Sequence, residues 1–264
     1  MDIISVVLTG IRNVNSGNVG DRVTGGRGFE NFVQHINFIF LNFLADRSAD
    51  TRTPLRFTAI AEHAAELDLG SRRVQSFIAL LKERSIVVDP TLSTFEGLLA
   101  ARTGEVSPTY ASIASRLPLM TQRSLKGGGL PAAAQANYSA FAPLLKMVQL
   151  LYRAGIPIVA GTDAGLPGFV VHRELELYVQ AGLPPTAVLR IATLGAAKVM
   201  KRDRESGSIA PGKQADIIIV DGNPAERISD IRKIKTVVKQ GVVYDARELE
   251  ERIGLASGSN AQSF

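Results

Sequence analysis

The stretch Ile156-Pro157-Ile158-Val159-Ala160-Gly161-Thr162-Asp163-Ala164-Gly165 constrains this chain more than any other. A short apolar run ends in a carboxylate and a turn glycine, the pattern of a parallel strand buried on both faces. Asp163 then stands at the C-terminal end of a strand. There it either caps the helix that follows or belongs to a site, because parallel strands gather functional groups at that edge.

Neighbouring segments fit a parallel sheet. Phe32 to Phe38 reads as a strand containing His35, and Ile86-Val87-Val88 as another, closing in Asp89-Pro90-Thr91-Leu92. Ser71 to Arg84 reads as a helix with Val74, Phe77, Ile78 and Leu81 on one face and Ser71 as N-cap. Ala142 to Ala154 is helical by the same pattern. Further helices are expected from His172 and from Pro184-Pro185, since proline is tolerated in a first turn. Alternation of strands and helices from Phe32 to about Met200 predicts crossover connections over a parallel sheet. Ala101 to Ala134 carries little pattern and predicts a helical excursion with a flexible loop at Gly127-Gly128-Gly129.

Beyond Gly207 the texture changes. Ile217 to Val220, Ile234 to Lys239 and Val242 to Tyr244 read as short strands, with Lys233, Lys235 and Lys239 on an exposed face. They predict a small β-sandwich. The expected organisation is a β/α unit over 1–203, the β segment over 204–253 and a disordered Ser/Gly/Asn-rich tail over 254–264.

The bulk numbers exclude several classes. Of 264 residues, 45% are hydrophobic and 21% charged, an ordinary globular composition. No apolar run reaches 18 residues, so no membrane span is expected. Met1-Asp2-Ile3-Ile4 carries an acid where a secretory leader needs a basic region, so a cytoplasmic location is expected. With no cysteine, disulfides, thiolate metal ligands and thiol nucleophiles are ruled out. The net charge is +5, but basic residues alternate with acids, as in Arg202-Asp203-Arg204-Glu205, and no basic stripe carries interleaved aromatics. A nucleic-acid partner is not expected.

The order of motifs adds a resemblance. His172-Arg173-Glu174-Leu175-Glu176-Leu177-Tyr178-Val179 follows the Asp163 strand. Then come Ala181-Gly182-Leu183-Pro184-Pro185, Ile191-Ala192-Thr193-Leu194-Gly195-Ala196-Ala197 and Gly207-Ser208-Ile209-Ala210-Pro211-Gly212-Lys213-Gln214-Ala215-Asp216. From about Gln34 to Gly254 the chain resembles the C-terminal portion of metal-dependent amidohydrolases, in the imidazolonepropionase-like and Xaa-Pro-dipeptidase-like branch. The resemblance implies the last half of a (β/α)8 TIM-type barrel followed by the small β-sandwich segment. Such a barrel needs roughly 200 residues or more. Ahead of Gly207 three clear strands are found, with a weaker candidate at Ile11 to Val19. A half barrel would leave an apolar sheet face and strand edges open, so self-association is expected.

The same resemblance implies a divalent metal, zinc by ligand type, at the strand ends of the complete family member. Its ligands are an HxH pair, two single histidines and an Asp that accepts the proton of the attacking water. Asp163 matches that Asp and is the candidate catalytic base and metal ligand. His35 matches the sixth-strand metal histidine; a hydrogen-bonded core histidine is the alternative. Asn18 falls where the fifth-strand histidine would stand, and no HxH pair occurs among the three histidines. His172 opens a helix close to where the family holds substrate, and Asp89 ends a strand; both are candidate substrate contacts. His63, in Ala61-Glu62-His63-Ala64-Ala65-Glu66, reads as structural. Two functions stay open: a hydrolase cleaving C–N bonds of small amides, and a non-catalytic remnant acting as an interaction module.

Overall fold

The computed structural model describes residues 2–4, 31–44, 50–130, 134–163, 165–166 and 168–256. The weak strand at Ile11 to Val19, Asn18 and the end of the tail lie outside the described residues. In chain order the elements are β1 (Asp2–Ile4), β2 (Phe32–Gln34), α1 (Ile36–Leu44), α2 (Leu55–His63) and α3 (Arg72–Glu83). They continue with β3 (Val87–Asp89), α4 (Leu92–Leu99), α5 (Leu119–Ser124), α6 (Ala134–Arg153) and α7 (Val170–Gln180). After α8 (Pro185–Arg190) and α9 (Ala196–Val199) come β4 (Ile217–Val220), β5 (Ile234–Lys239), β6 (Val242–Asp245) and α10 (Ala246–Arg252).

The chain is an α/β protein whose parallel part is short. β2 and β3 pair in parallel, with Val33 opposite Val88 and Gln34 opposite Asp89. The Ile156–Ala160 stretch extends this sheet by one parallel bridge, Val88 to Ile158, made by Val88 N–H to Pro157 O (2.9 Å) and Val159 N–H to Val88 O (3.0 Å). The strand expected over Phe32 to Phe38 stops at Gln34. His35 takes a left-handed φ of 66° and its N–H bonds back to Asp89 O at 2.7 Å, turning the chain so that Ile36 begins a helix. The aromatic run Phe38 to Phe43 is therefore helical. Its β-like composition yields to burial, as Ile36, Ile39 and Phe40 are fully enclosed.

The helices follow the expected logic. In α3 the Ser71 side chain accepts from Val74 N, and Val74, Ile78 and Leu81 are buried. α6 buries Leu144, Met147, Val148 and Leu151 on one stripe. Gly128 and Gly129 are not a loose loop. Gly129 N–H bonds to Ala101 O at 3.1 Å, and a Cβ there would run into the Leu98 carbonyl. These glycines let the excursion lie directly on α4.

The C-terminal strands form one antiparallel sheet of order β1-β4-β5-β6 among the described residues. β1 pairs with β4, Ile3 opposite Ile219. The first strand of the chain thus joins the last sheet, although the sequence division placed it in the first unit. Among the described residues the apolar face expected to lie open on the parallel sheet is covered: Val33, Val87 and Val88 are buried. Exposure falls instead on β6, where Val242 and Val243 face solvent on the sheet edge.

A chain of ion pairs joins the two parts. Glu96 of α4 takes a fork from Arg173 (2.6 and 2.9 Å), Arg173 reaches Glu176 (3.2 Å), and Glu176 takes a second fork from Arg232 (2.6 and 3.0 Å) beside the antiparallel sheet. Glu96 is 5% exposed at its side chain, and the Arg173 fork satisfies both of its oxygens. Replacing Arg173 by Met is expected to lower unfolding stability by about 3 kcal/mol, because it strands a buried carboxylate. Chemical denaturation of the two proteins measures it, and a loss below about 1 kcal/mol would contradict this account of the chain of pairs.

Candidate active site at the strand ends

Three acidic or imidazole residues stand where the parallel strands end. His35 follows β2, Asp89 ends β3, and Asp163 follows the Ile156–Ala160 stretch. His35 Nε2 lies 3.9 Å from Asp163 Oδ2, so the two leading sequence candidates stand side by side. The backbone there is strained: His35, Thr91 and Asp163 all have positive φ (66°, 50° and 45°), although none is glycine. Left-handed non-glycine residues cost on the order of 1–3 kcal/mol each and persist where surroundings hold them.

The surroundings are identifiable. Asp89 is 4% exposed, and its Oδ1 accepts the Gly161 N–H at 2.8 Å. A Cβ on Gly161 would collide with that carboxylate, so glycine is required there. Thr94 Oγ1 donates to Thr162 O at 2.6 Å, fixing the next peptide. These contacts pin Gly161 and Thr162 and aim Asp163, whose side chain stays half-exposed. Asp89 itself is closed off beneath the loop, in a place suited to holding it.

Electrostatics separate the groups. Burial pushes the Asp89 carboxyl up to about 7; the Gly161 N–H opposes this and the Asp163 charge adds to it. Burial also lowers the His35 imidazole, against the pull of Asp163, and the Arg56 guanidinium lowers it further. His35 is therefore a neutral imidazole at neutral pH, with Nδ1 3.1 Å from Thr91 Oγ1. Neutral imidazole is the form that ligates metals.

The fit to a metal is incomplete. Two donors each about 2 Å from one Zn²⁺ are roughly 3.3 Å apart in a tetrahedral site; at 3.9 Å the pair would have to close. Among the described residues no group of three or more acidic or imidazole side chains could hold an ion. His35 and Asp163 would supply two donors where a catalytic zinc takes three from protein.

His172 lies in the first turn of α7, beside Arg232 and Glu176. Burial drives its pKa down to about 4; Arg232 lowers it further and Glu176 opposes. His63 is a half-exposed residue at the end of α2, 3.2 Å from Glu66, in keeping with a structural role.

Glu174 is the group the sequence reading passed over. It is fully buried and accepts Leu92 N–H at 2.8 Å and Ser93 N–H at 2.7 Å, at the N-terminus of α4. Burial raises its carboxyl to about 7 against those two bonds. Tyr178, one turn on and also buried, donates to Val159 O at 2.8 Å. A signal was present in the sequence: Val170, Glu174, Leu177, Tyr178 and Ala181 form one helical stripe, and a carboxylate within an apolar stripe needs a partner. The conspicuous Gly207-to-Asp216 motif, by contrast, is structural, with Lys213 Nζ tying Ser208 Oγ (2.6 Å) to the carbonyl of Asp203.

Because the folded His172 titrates near 4 and an unfolded histidine near 6.5, its contribution is intact above pH 6.5 and is lost as pH falls towards 4. The unfolded chain binds the extra proton in that window. Replacing His172 by Gln is expected to remove about 3 kcal/mol of stability loss between pH 7 and pH 4. Denaturant midpoints across that range test it, and equal acid slopes in both proteins would refute it.

Known proteins supply the remaining evidence. Residues 106–244 match the model of the amidohydrolase family. An adenine deaminase of Gluconobacter oxydans is 35% identical over 89 residues, which is 34% of this chain and 15% of that protein. An imidazolonepropionase of Streptococcus sanguinis is 32% identical over 131 residues, 47% of this chain and 30% of that protein. The matches thus span less than a third of either relative. Among solved structures, a Xaa-Pro dipeptidase with bound methionine aligns over 72% of this chain and 42% of its own, with 23% identity and a TM-score of 0.49. The family match takes in more than half of the 264 residues, and this chain belongs to the amidohydrolase family.

Proposed function

We propose that the chain carries the strand-end portion of a site that hydrolyses C–N bonds in small amide or small-peptide substrates. Asp163 is its proton-transferring base. The observation that carries this reading is the approach of His35 Nε2 and Asp163 Oδ2 at the ends of neighbouring parallel segments, both held in strained backbone. Asp163 would take the proton of the attacking water and deliver it to the leaving nitrogen, so the amide bond breaks without expelling an unprotonated amine. His172 stays a candidate substrate contact, and Asp89 acts beneath the loop as its support. The relatives' names, adenine deaminase and imidazolonepropionase, agree with C–N bond chemistry. We infer further that the parallel strands are the later half of a (β/α)8 barrel, with the smaller β segment of a sandwich within 204–253.

Amidohydrolases are generally metal-dependent. The two donors found among the described residues leave a zinc site short, which supports a second reading: a chain that binds partners without catalysing. The exposed β6 edge supports it too, since an uncovered edge strand invites pairing. In this reading the chain self-associates.

The tests are direct. With Zn²⁺ supplied, hydrolysis of dipeptide and acyl-amide substrates is expected to fall at least about a hundredfold on replacing Asp163 by Asn. Equal rates in the two proteins would remove Asp163 from the chemistry. No hydrolysis by a folded wild-type chain, with well under one zinc per molecule after dialysis, would favour the second reading. For association, light scattering on a size-exclusion peak should give a mass above the 28.3 kDa of one chain. A sharp monomer peak would contradict it.

A further inference from the structure

We propose that Glu174 is a positioning residue for His35, acting through Thr91 to fix which imidazole nitrogen faces Asp163. The proposal rests on the reading of His35 as a site residue, and it starts from an irregular helix cap. Helix α4 begins after Thr91, so Thr91 occupies the N-cap position, where a threonine hydroxyl ordinarily accepts an N–H of the first turn. Here Thr91 is left-handed (φ 50°, ψ 44°) and its side chain makes no capping bond. The cap comes from another helix: the Glu174 carboxylate takes Leu92 N–H and Ser93 N–H, at 2.8 and 2.7 Å.

That substitution has a consequence for the site. Relieved of capping, the Thr91 hydroxyl lies 3.1 Å from His35 Nδ1. The His35 backbone is anchored separately, through its N–H to Asp89 O at 2.7 Å. When Nδ1–H donates to Thr91 Oγ1, Nε2 carries a lone pair, and Nε2 is the atom 3.9 Å from Asp163. A second group that orients an imidazole and sets its tautomer is how histidine ligands are made competent. The strain supports a purpose beyond capping. A β-branched residue in left-handed backbone costs on the order of 1–2 kcal/mol, and an ordinary cap at position 91 would avoid it. Two bonds from a fully buried carboxylate hold Thr91 in that conformation.

The experiment reads the tautomer and needs neither metal nor turnover. Long-range ¹H–¹⁵N correlation spectra of the full chain at pH 7.5 distinguish Nδ1–H from Nε2–H. His35 is assigned among the three histidines through His63→Gln and His172→Gln. Wild type should be mainly Nδ1–H. Glu174→Gln and Thr91→Val should each lower the Nδ1–H to Nε2–H ratio at least tenfold, and Thr91→Ser should restore it. An Nε2–H wild type would overturn the proposal, as would a cooperatively folded Glu174→Gln with an unchanged ratio. Should Glu174→Gln fail to fold, Glu174→Asp withdraws the carboxylate by one methylene and must shift the ratio in the same direction; a wild-type ratio there overturns it. A tautomer shift in a chain that hydrolyses nothing sustains the positioning role and removes only the catalytic reading.

Discussion

Two carboxylates lie out of water beneath the ends of the parallel strands, and the geometry of the site depends on how each is held. An isolated buried carboxylate costs several kcal/mol, so each must find N–H donors. Asp89 takes Gly161 N–H, and Glu174 takes the first free amides of α4. A helix N-terminus offers unpaired N–H groups and a favourable dipole to such an anion. Each bond also ties together segments distant in sequence. The first joins β3 to the loop that carries Asp163, and the second joins α7 to the turn that carries Thr91. Side chains that solve a burial problem thereby set the positions of His35 and Asp163.

The charge chain on the outer side of α7 works by the same rule with opposite partners. Glu96 and Glu176 are satisfied by Arg173 and Arg232, each through a guanidinium fork. Burial alone would push Glu176 up, but the hydrogen bonds and charges of Arg232 and Arg173 outweigh it and hold its carboxyl low. Helix α7 therefore carries acids of two kinds: Glu174, whose carboxyl burial raises to about 7, and Glu176, held low by arginines. They lie two positions apart and so face different sides of the helix. One side meets the strand ends and the other meets the segment before the antiparallel sheet.

Two converging donors in strained backbone suit proton transfer, the role proposed for Asp163, while among the described residues they fall short of the donor number a zinc ion takes from protein. Asp163 is half-exposed, His35 less so, and Asp89 is sealed below. Chemically similar groups thus stand in different environments.

Residue type and order were enough to find the strand that ends in Asp163, the α3 helix with its Ser71 cap, the strands from Ile217 onward, and the pairing of His35 with Asp163 as site candidates. Such features are written locally, in periodicity, turn residues and caps. Tertiary packing decided the rest. Phe32 to Phe38 reads as a strand because its residues favour one; it ends at His35, whose left-handed backbone turns Ile36, Ile39 and Phe40 into a buried helix. Asp2–Ile4 joins β4 because Ile218–Val220 offers a free edge, which nothing in the first residues encodes. Glu174 looks like any helix acid until the amides of Leu92 and Ser93, some eighty residues earlier, are brought to it. A sequence specifies the groups that must be satisfied, while the partners that satisfy them over such separations exist only once the chain has folded.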